Sequence, residues 1–409
     1  MNDESSSRRR RLAWTLFILV IGIFAWLVIR DAWLCDDAFI TLRVVDNFHN
    51  GYGLRWNVVE RVQVFTHPLW CLTLLVVTRA SGNLALATLW FSIVVSIVAF
   101  TLIVPRPGRH NSDLILLALL VPASKAAVQY ATSGLEGPLA FLFLALLVLA
   151  CGGLEGEWKR WDRWVPLLAA AVVLTRQDLL LIVAPLSLAW IARKGLQRAG
   201  VPLLAGAFAV AAWELFSFFY YGSFIPNTAL AKLNTGIAAS EKMIQGLRYV
   251  FDFAVRDPSG ALILLGCVVY LVAVRKDLNA RAVAGGILLY MLYIVSIGGD
   301  FMSGRFFAVP IYMAVAETVR TAREKSLLSV GAISGAGAVA ALLVAVHLAG
   351  FNGFSAEVVS ADGIADERRF YAPALSLSAL HAGRNIERVG WVRDAREWRD
   401  KGPSGLITE

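Results

Sequence analysis

The sequence predicts an all-α, polytopic membrane protein of about eleven transmembrane helices, and three observations predict it. Of the 409 residues, 58% are hydrophobic and only 17% charged, with a mean hydropathy of +0.64; a soluble domain carries about 25% charged residues. Apolar runs of near-spanning length recur along the whole chain. The net charge of +8 is made by Arg and Lys gathered at the ends of those runs, as cytoplasmic anchors are. That placement excludes nucleic acid as a partner and makes membrane lipids one.

The elements follow in order. Arg8–Arg11 precede an apolar run over Leu12–Ile29, and Arg30-Asp31 stands where a small-residue cleavage site would be. The run therefore reads as an uncleaved signal anchor. Further spans are expected over Leu84–Val104, Leu114–Val128, Leu135–Cys151, Trp164–Leu174, Leu179–Ile191, Val201–Tyr221, Ala261–Val274, Ala282–Ile297, Phe306–Val319 and Leu327–Leu348. Several are short for a bilayer, and Trp164–Leu174 with Leu179–Ile191 reads as a re-entrant pair.

Leu69–Val77 is too short to span and is expected to lie along the outer surface. That choice puts Arg106/Arg109, Lys159/Arg160/Arg163, Arg193/Lys194/Arg198, Arg275/Lys276/Arg281 and Arg320/Arg323/Lys325 on the side of Arg8–Arg11, which the positive-inside rule makes cytoplasmic. The chain then divides into a bundle over residues 1–349, with outer loops 30–83 and 222–260, and a short polar extracytoplasmic tail over 350–409. Cys35 and Cys71 flank the first loop and could pair there; Cys151 and Cys267 belong to the core.

The outer side collects the residues that could carry chemistry. In CDDAFITLRVVDNFHNGYG, Phe39, Leu42 and Val45 share an apolar stripe while Asp36, Arg43 and Asn50 share a polar one. This predicts an interfacial amphipathic helix ended by Gly51 and Gly53. Asp36 and Asp37, adjacent carboxylates, can raise one another's proton affinity toward base function; they are equally readable as a solvated acidic turn. In TSGLEGPL, Glu136 is either functional or completes a capping box with Ser133. In LTRQDLL, Arg176 and Asp178 interrupt apolar sequence and form either a structural pair or a cavity lining.

YYGSFIPNTALAK reads as a turn and helix start at Asn227-Thr228 with Lys232 one turn inside, either a ready anion site or an ordinary capped interfacial helix. GGDFMSGRFF sets Asp300 among glycines and Arg305 at a helix start, where the dipole opposes a cation; either a bound phosphate resolves the conflict or the side chain snorkels to the interface. In the tail, ADERRF pairs Arg368 with Arg369, which by itself reads first as a solvated turn and otherwise as a guanidinium arrangement suited to phosphate. Acidic and basic candidates fall on one face, with nothing comparable expected on the other.

These segments resemble a known family. DDAFITLR, NGYGLRWN and ERVQVFTHPLW look like the first loop of membrane glycosyltransferases of the GT-C fold, and TSGLEGPL, YYGSFIPNTALAK and GGDFMSGRFF extend the match in order from Asp36 to Arg369. The set is most similar to the mycobacterial terminal arabinofuranosyltransferase group. His67 stands where Ser is common before Pro-Leu-Trp, and Gln177 where Pro is common after Thr-Arg.

The resemblance implies a bacterial plasma-membrane enzyme with a polyprenyl-phosphate sugar donor, an extracytoplasmic glycan, lipid or protein acceptor, and a catalytic carboxylate in the first loop, here Asp36 or Asp37. The expected reaction has Lys232 and Arg305, with Arg368 or Arg369, on the donor phosphate. Arg43, His67, Glu136, Arg176, Asp178, Asn227 and Asp300 are further site candidates. No cofactor is demanded; a divalent cation, if any, would sit on Asp36 and Asp37. The competing reading is a transporter or flippase of a lipid-linked sugar.

Overall fold

A computed structural model of the chain describes residues 2–107, 112–152, 161–228, 230, 236–274, 277–325, 330–349, 353–355 and 357–383. Among these residues the regular structure is helical, with isolated β-bridges only. The first helix, α1 (Asn2–Arg30), is followed by α2 (Asp36–His49), α3 (Pro68–Val77), α4 (Leu84–Ile103), α5 (Ser112–Leu117), α6 (Lys125–Gln129), α7 (Gly137–Gly152), α8 (Val165–Thr175) and α9 (Leu180–Lys194). Then come α10 (Leu196–Tyr221), α11 (Ala239–Arg256), α12 (Pro258–Ala273), α13 (Leu278–Ile297), α14 (Arg305–Lys325), α15 (Val330–Leu348), α16 (Glu367–Leu375) and α17 (Leu377–His381).

The chain is an all-α membrane protein. Among the described residues, four segments are long and apolar enough to cross a bilayer, namely Ser7–Arg30, Leu84–Ile103, Leu196–Tyr221 and Leu278–Ile297. A fifth arises if α11 and α12, bent by 110° at Asp257, count together. This is fewer than the roughly eleven apolar runs suggested, because other helices are short or carry charge. The run Leu114–Val128 is not one helix. It breaks after a 3₁₀ turn at Ala118–Leu120; Pro122 has no N–H to continue the ladder, and Ser124 caps α6 by accepting from the Ala127 N–H.

The first loop folds as its pattern indicates. Leu42 and Val45 are buried on α2 while Arg43 is exposed, and the helix stops before Gly51 and Gly53, both with positive φ. The short α3 buries Trp70, Cys71 and Leu74 and exposes Val76. The pair α8–α9 is a hairpin: Arg176 turns to extended backbone at its tip, and Lys194 meets Asp162 at its open ends. Helix α13 packs on α9 so closely at Gly286 that a Cβ there would lie 2.4 Å from the Ile182 carbonyl oxygen, the close approach that small residues permit between membrane helices.

The bundle has two polar ends. Helices α7, α13 and α14 begin or finish beside Glu136, Asp300 and Arg305. Their opposite ends meet where Asn279 Nδ2 donates to the Cys151 carbonyl (3.2 Å) and Arg320 Nη2 reaches Asp277 Oδ2 (3.1 Å). The expectation of polar residues at one end alone is therefore corrected: Glu317, Arg320 and Asp277 form a buried ionic cluster at the other. Sequence spacing hides it, because α14 carries these charges on a face that only the packing turns inward.

Tail residues 357–383 pack onto the bundle rather than trailing from it. Ala365 bridges Met302, Ser376 bridges Trp33, and the Leu34 N–H donates to the Leu375 carbonyl at 3.1 Å.

Candidate active site

Two carboxylates open α2. The Cys35 N–H donates to the Ser133 carbonyl at 3.0 Å, so the start of α2 is fixed against the turn before α7. Gly134 makes the approach possible: its φ is +81°, and a Cβ there would lie 2.6 Å from both Ala38 Cβ and Leu34 Cδ2. Asp36 Oδ2 accepts from the Tyr371 hydroxyl at 3.1 Å. Asp37 Oδ2 accepts from Arg305 Nη1 at 3.3 Å, and the same nitrogen reaches Asp300 Oδ2 at 3.2 Å. The dipole conflict at the start of α14 is thus answered by two carboxylates. Asp300 is aimed by Gly298 and Gly299, both with positive φ.

A second group adjoins it. Glu136 is buried, with His67 Nδ1 3.3 Å from its Oε2 and Arg176 Nη1 3.7 Å from its Oε1. The His67 contact lacks hydrogen-bond geometry, whereas His67 Nε2 and the Thr41 hydroxyl are 2.7 Å apart. Arg176 grips Asp178 through Nε (2.8 Å) and Nη2 (2.7 Å) and touches the Tyr290 hydroxyl.

The Ser133–Glu136 capping box does not form. Ser133 Oγ has no hydrogen-bond partner among the described residues, and Glu136 turns inward to the cations. Burial pushes the Glu136 carboxyl up, but His67, Arg305 and Arg176 outweigh it and hold it below the usual range. Burial lowers His67, against the opposing pull of Glu136. Because Arg305 acts on Glu136 as well as on Asp37, the two groups are one electrostatic unit.

Other expected residues have different placements. Arg43 stacks on Trp56 (4.5 Å to the ring centroid) and donates to its carbonyl (3.0 Å), which shapes the loop. The Asn227 N–H donates to the Gln63 carbonyl at 3.0 Å, tying the two outer loops, and its side chain is exposed. Arg368 turns away from Arg369. It closes on Asp31, Nη2 to Oδ1 at 3.0 Å, while Arg369 is exposed. On a helix, neighbouring residues point about 100° apart, which splits the pair. Lys232 lies outside the described residues.

Cys35 and Cys71 are free and buried, not joined. Among the described residues, no group of three or more His, Cys, Asp or Glu side chains is arranged to hold a metal ion.

The sequence reading passed over Glu367, Tyr371, Tyr290 and Lys125. Lys125 Nζ binds Asp366 Oδ2 at 2.9 Å, and Asp366 caps α16 by accepting from the Arg369 N–H, which sets Glu367 and Tyr371 beside α2. A Glu between polar residues in a tail, or a Tyr in an apolar run, carries no local signal of this.

Fold and site define the class: a helical membrane protein with a buried cluster of carboxylates and guanidiniums, contributed by the first outer loop and three interhelical turns, at one end of its bundle. The chain is 31% identical over 88% of its length to a Mycobacterium tuberculosis protein named terminal β-(1→2)-arabinofuranosyltransferase, and 28% identical over 76% to one of the same name from Corynebacterium glutamicum. Over most of its length the chain is similar to the mycobacterial terminal arabinofuranosyltransferase group. It spans 66% and 51% of the length of these two relatives. No family model matches the chain, and no solved structure does.

Proposed function

We propose that this chain is a membrane glycosyltransferase that moves an arabinofuranosyl group from a polyprenyl-phosphate donor to a glycan, lipid or protein acceptor on the extracytoplasmic side of a bacterial plasma membrane. The observation that carries the reading is the meeting of Asp37 with Arg305 at 3.3 Å, in a chain whose relatives are named arabinofuranosyltransferases. A base and a phosphate-binding guanidinium are the two groups such a transfer needs.

In this mechanism, Asp36 or Asp37 takes the proton of the acceptor hydroxyl as its oxygen attacks C1 of the sugar. Arg305 turns its fork to the donor phosphate and stabilises the charge that develops there. Lys232 serves as a second cation. Glu136, with His67 and Arg176 around it, fixes the loop that carries Arg176 and supports Arg305 electrostatically. Asp300 holds Arg305 in register between donors.

The test is consumption of a synthetic polyprenyl-phosphate arabinose by purified protein in detergent, where transport across a bilayer has no meaning. The wild type should transfer sugar to an arabinan oligosaccharide. Asp36→Asn with Asp37→Asn should lose transfer by at least about 100-fold while eluting and melting as a folded protein. Full activity in the double variant removes the catalytic assignment. A wild type that leaves the donor intact in detergent but moves it between leaflets of a vesicle favours the flippase reading.

A further inference from the structure

Glu367 has no part in the mechanism above, and its position is unusual. It stands in the first turn of α16, 8% exposed, and its Oε2 is buried with no hydrogen-bond partner among the described residues. An unsatisfied buried oxygen is costly for an ionised carboxylate and tolerable for a neutral acid. Three contacts hold α16 there: Lys125 on the Asp366 cap, Ala365 bridged to Met302, and, one turn beyond Glu367, the Tyr371 hydroxyl on Asp36 at 3.1 Å. The result puts Glu367 within electrostatic reach of Asp36, Asp37 and Asp300, with Arg305 as the cation among them. Burial and the like charge of these neighbours favour the neutral form of the Glu367 carboxyl.

We propose that Glu367 is the acid partner of the first-loop aspartates, an un-ionised carboxyl that passes its proton to the phosphate oxygen leaving C1 of the sugar. The proposal rests on the transfer reaction read for this site. The C1–O bond to phosphate breaks and its electron pair goes to the oxygen that receives the Glu367 proton. The bond from C1 to the acceptor oxygen forms, and the acceptor's proton passes to Asp36 or Asp37. Proton exchange from that aspartate to Glu367 through solvent resets both. Carboxyl groups whose surroundings drive their proton affinities apart divide into acid and base in this way. Burial first, and then Asp36, Asp37 and Asp300, push the Glu367 carboxyl up to about 8, so it keeps its proton at neutral pH.

Two measurements test this. The first is the pH profile of transfer from the polyprenyl-phosphate arabinose, for wild type, Glu367→Gln and Glu367→Asp. The wild-type rate should fall as pH rises through about 8. Glu367→Gln should lower the rate by about 100-fold and abolish that alkaline limb, and Glu367→Asp should recover part of the rate with the limb displaced. Glu367→Gln at wild-type rate with its limb intact overturns the proposal.

The second needs no turnover and no variant that might misfold: infrared difference spectra of the wild type titrated with alkali. A protonated-carboxyl band should vanish as pH passes about 8. If all carboxyl bands titrate in the ordinary acid range, Glu367 is not the acid, whatever the enzyme does. If the band behaves as expected and no sugar is transferred, the reaction assigned to the site is what fails, and the role of Glu367 falls with it.

Discussion

Glu136 and Glu367 are two buried carboxyls in one site with opposite proton affinities, and opposite effects of pH on stability follow. Glu136 is held below its ordinary value of 4.5. Its contribution is complete above that value and is lost as pH falls through the lower folded-state value. Glu367 is raised from 4.5 to about 8. A raised carboxyl favours the fold while both states are protonated, and that advantage is lost as pH rises from 4.5, where the unfolded chain ionises first, to about 8. In detergent melting curves, Glu367→Gln should therefore melt above the wild type near pH 8, with the difference gone at acidic pH. Glu136→Gln should melt lower at neutral pH, by a destabilisation of about 1–3 kcal/mol for the unpaired partners it leaves, and the gap should close as pH falls. Parallel behaviour of the two variants would contradict the environments described here.

Among elements, the turns between helices decide the site more than the helices do. The Gly298–Gly304 turn delivers Asp300 to Arg305, and it fits because Gly299 has a φ of +72° and lies where a Cβ would be 2.5 Å from Tyr249. Gly299→Ala should cost about 1–3 kcal/mol from backbone strain and overpacking together. It should also lower activity more than its melting shift explains, because the Asp300–Arg305 contact moves with the turn. A variant that melts and turns over like wild type would show that the turn tolerates another conformation.

The sequence marked this element by its glycines and its Asp–Arg spacing, and both survive in the structure. It marked α2 by period and terminators with equal success. By contrast, the run Leu114–Val128 looked like a span and is a broken one, because apolar composition does not report where a proline and a capping serine interrupt the hydrogen-bond ladder.

For the whole molecule, the two polar ends make a claim about sidedness. The end that gathers Cys151, Asp162, Lys194, Asp277 and Arg320 is the end to which the positive-inside rule assigns the cytoplasm. The native cysteines are all buried, so an introduced thiol is a clean reporter. Glu60→Cys, on the exposed part of the first loop, should react with a membrane-impermeant maleimide in intact cells, while Arg198→Cys, exposed beyond α9, should react only after permeabilisation. Equal labelling of both in intact cells would sink the topology.

The sequence by itself determined the class of solvent, the helical architecture and the segments that hold Asp36, Asp37, Glu136, Arg176, Asp300 and Arg305. Each of these is written in local composition, period or spacing. Only the tertiary structure decided which of the candidates meet. It brought Asp37 onto Arg305, turned Glu136 from a helix cap into the partner of His67 and Arg176, sent Arg368 to Asp31, and set Glu367 against the aspartates. Such pairings join residues up to hundreds of positions apart. They depend on which faces of α2, α14 and α16 are buried together, a property of packing that no single segment carries.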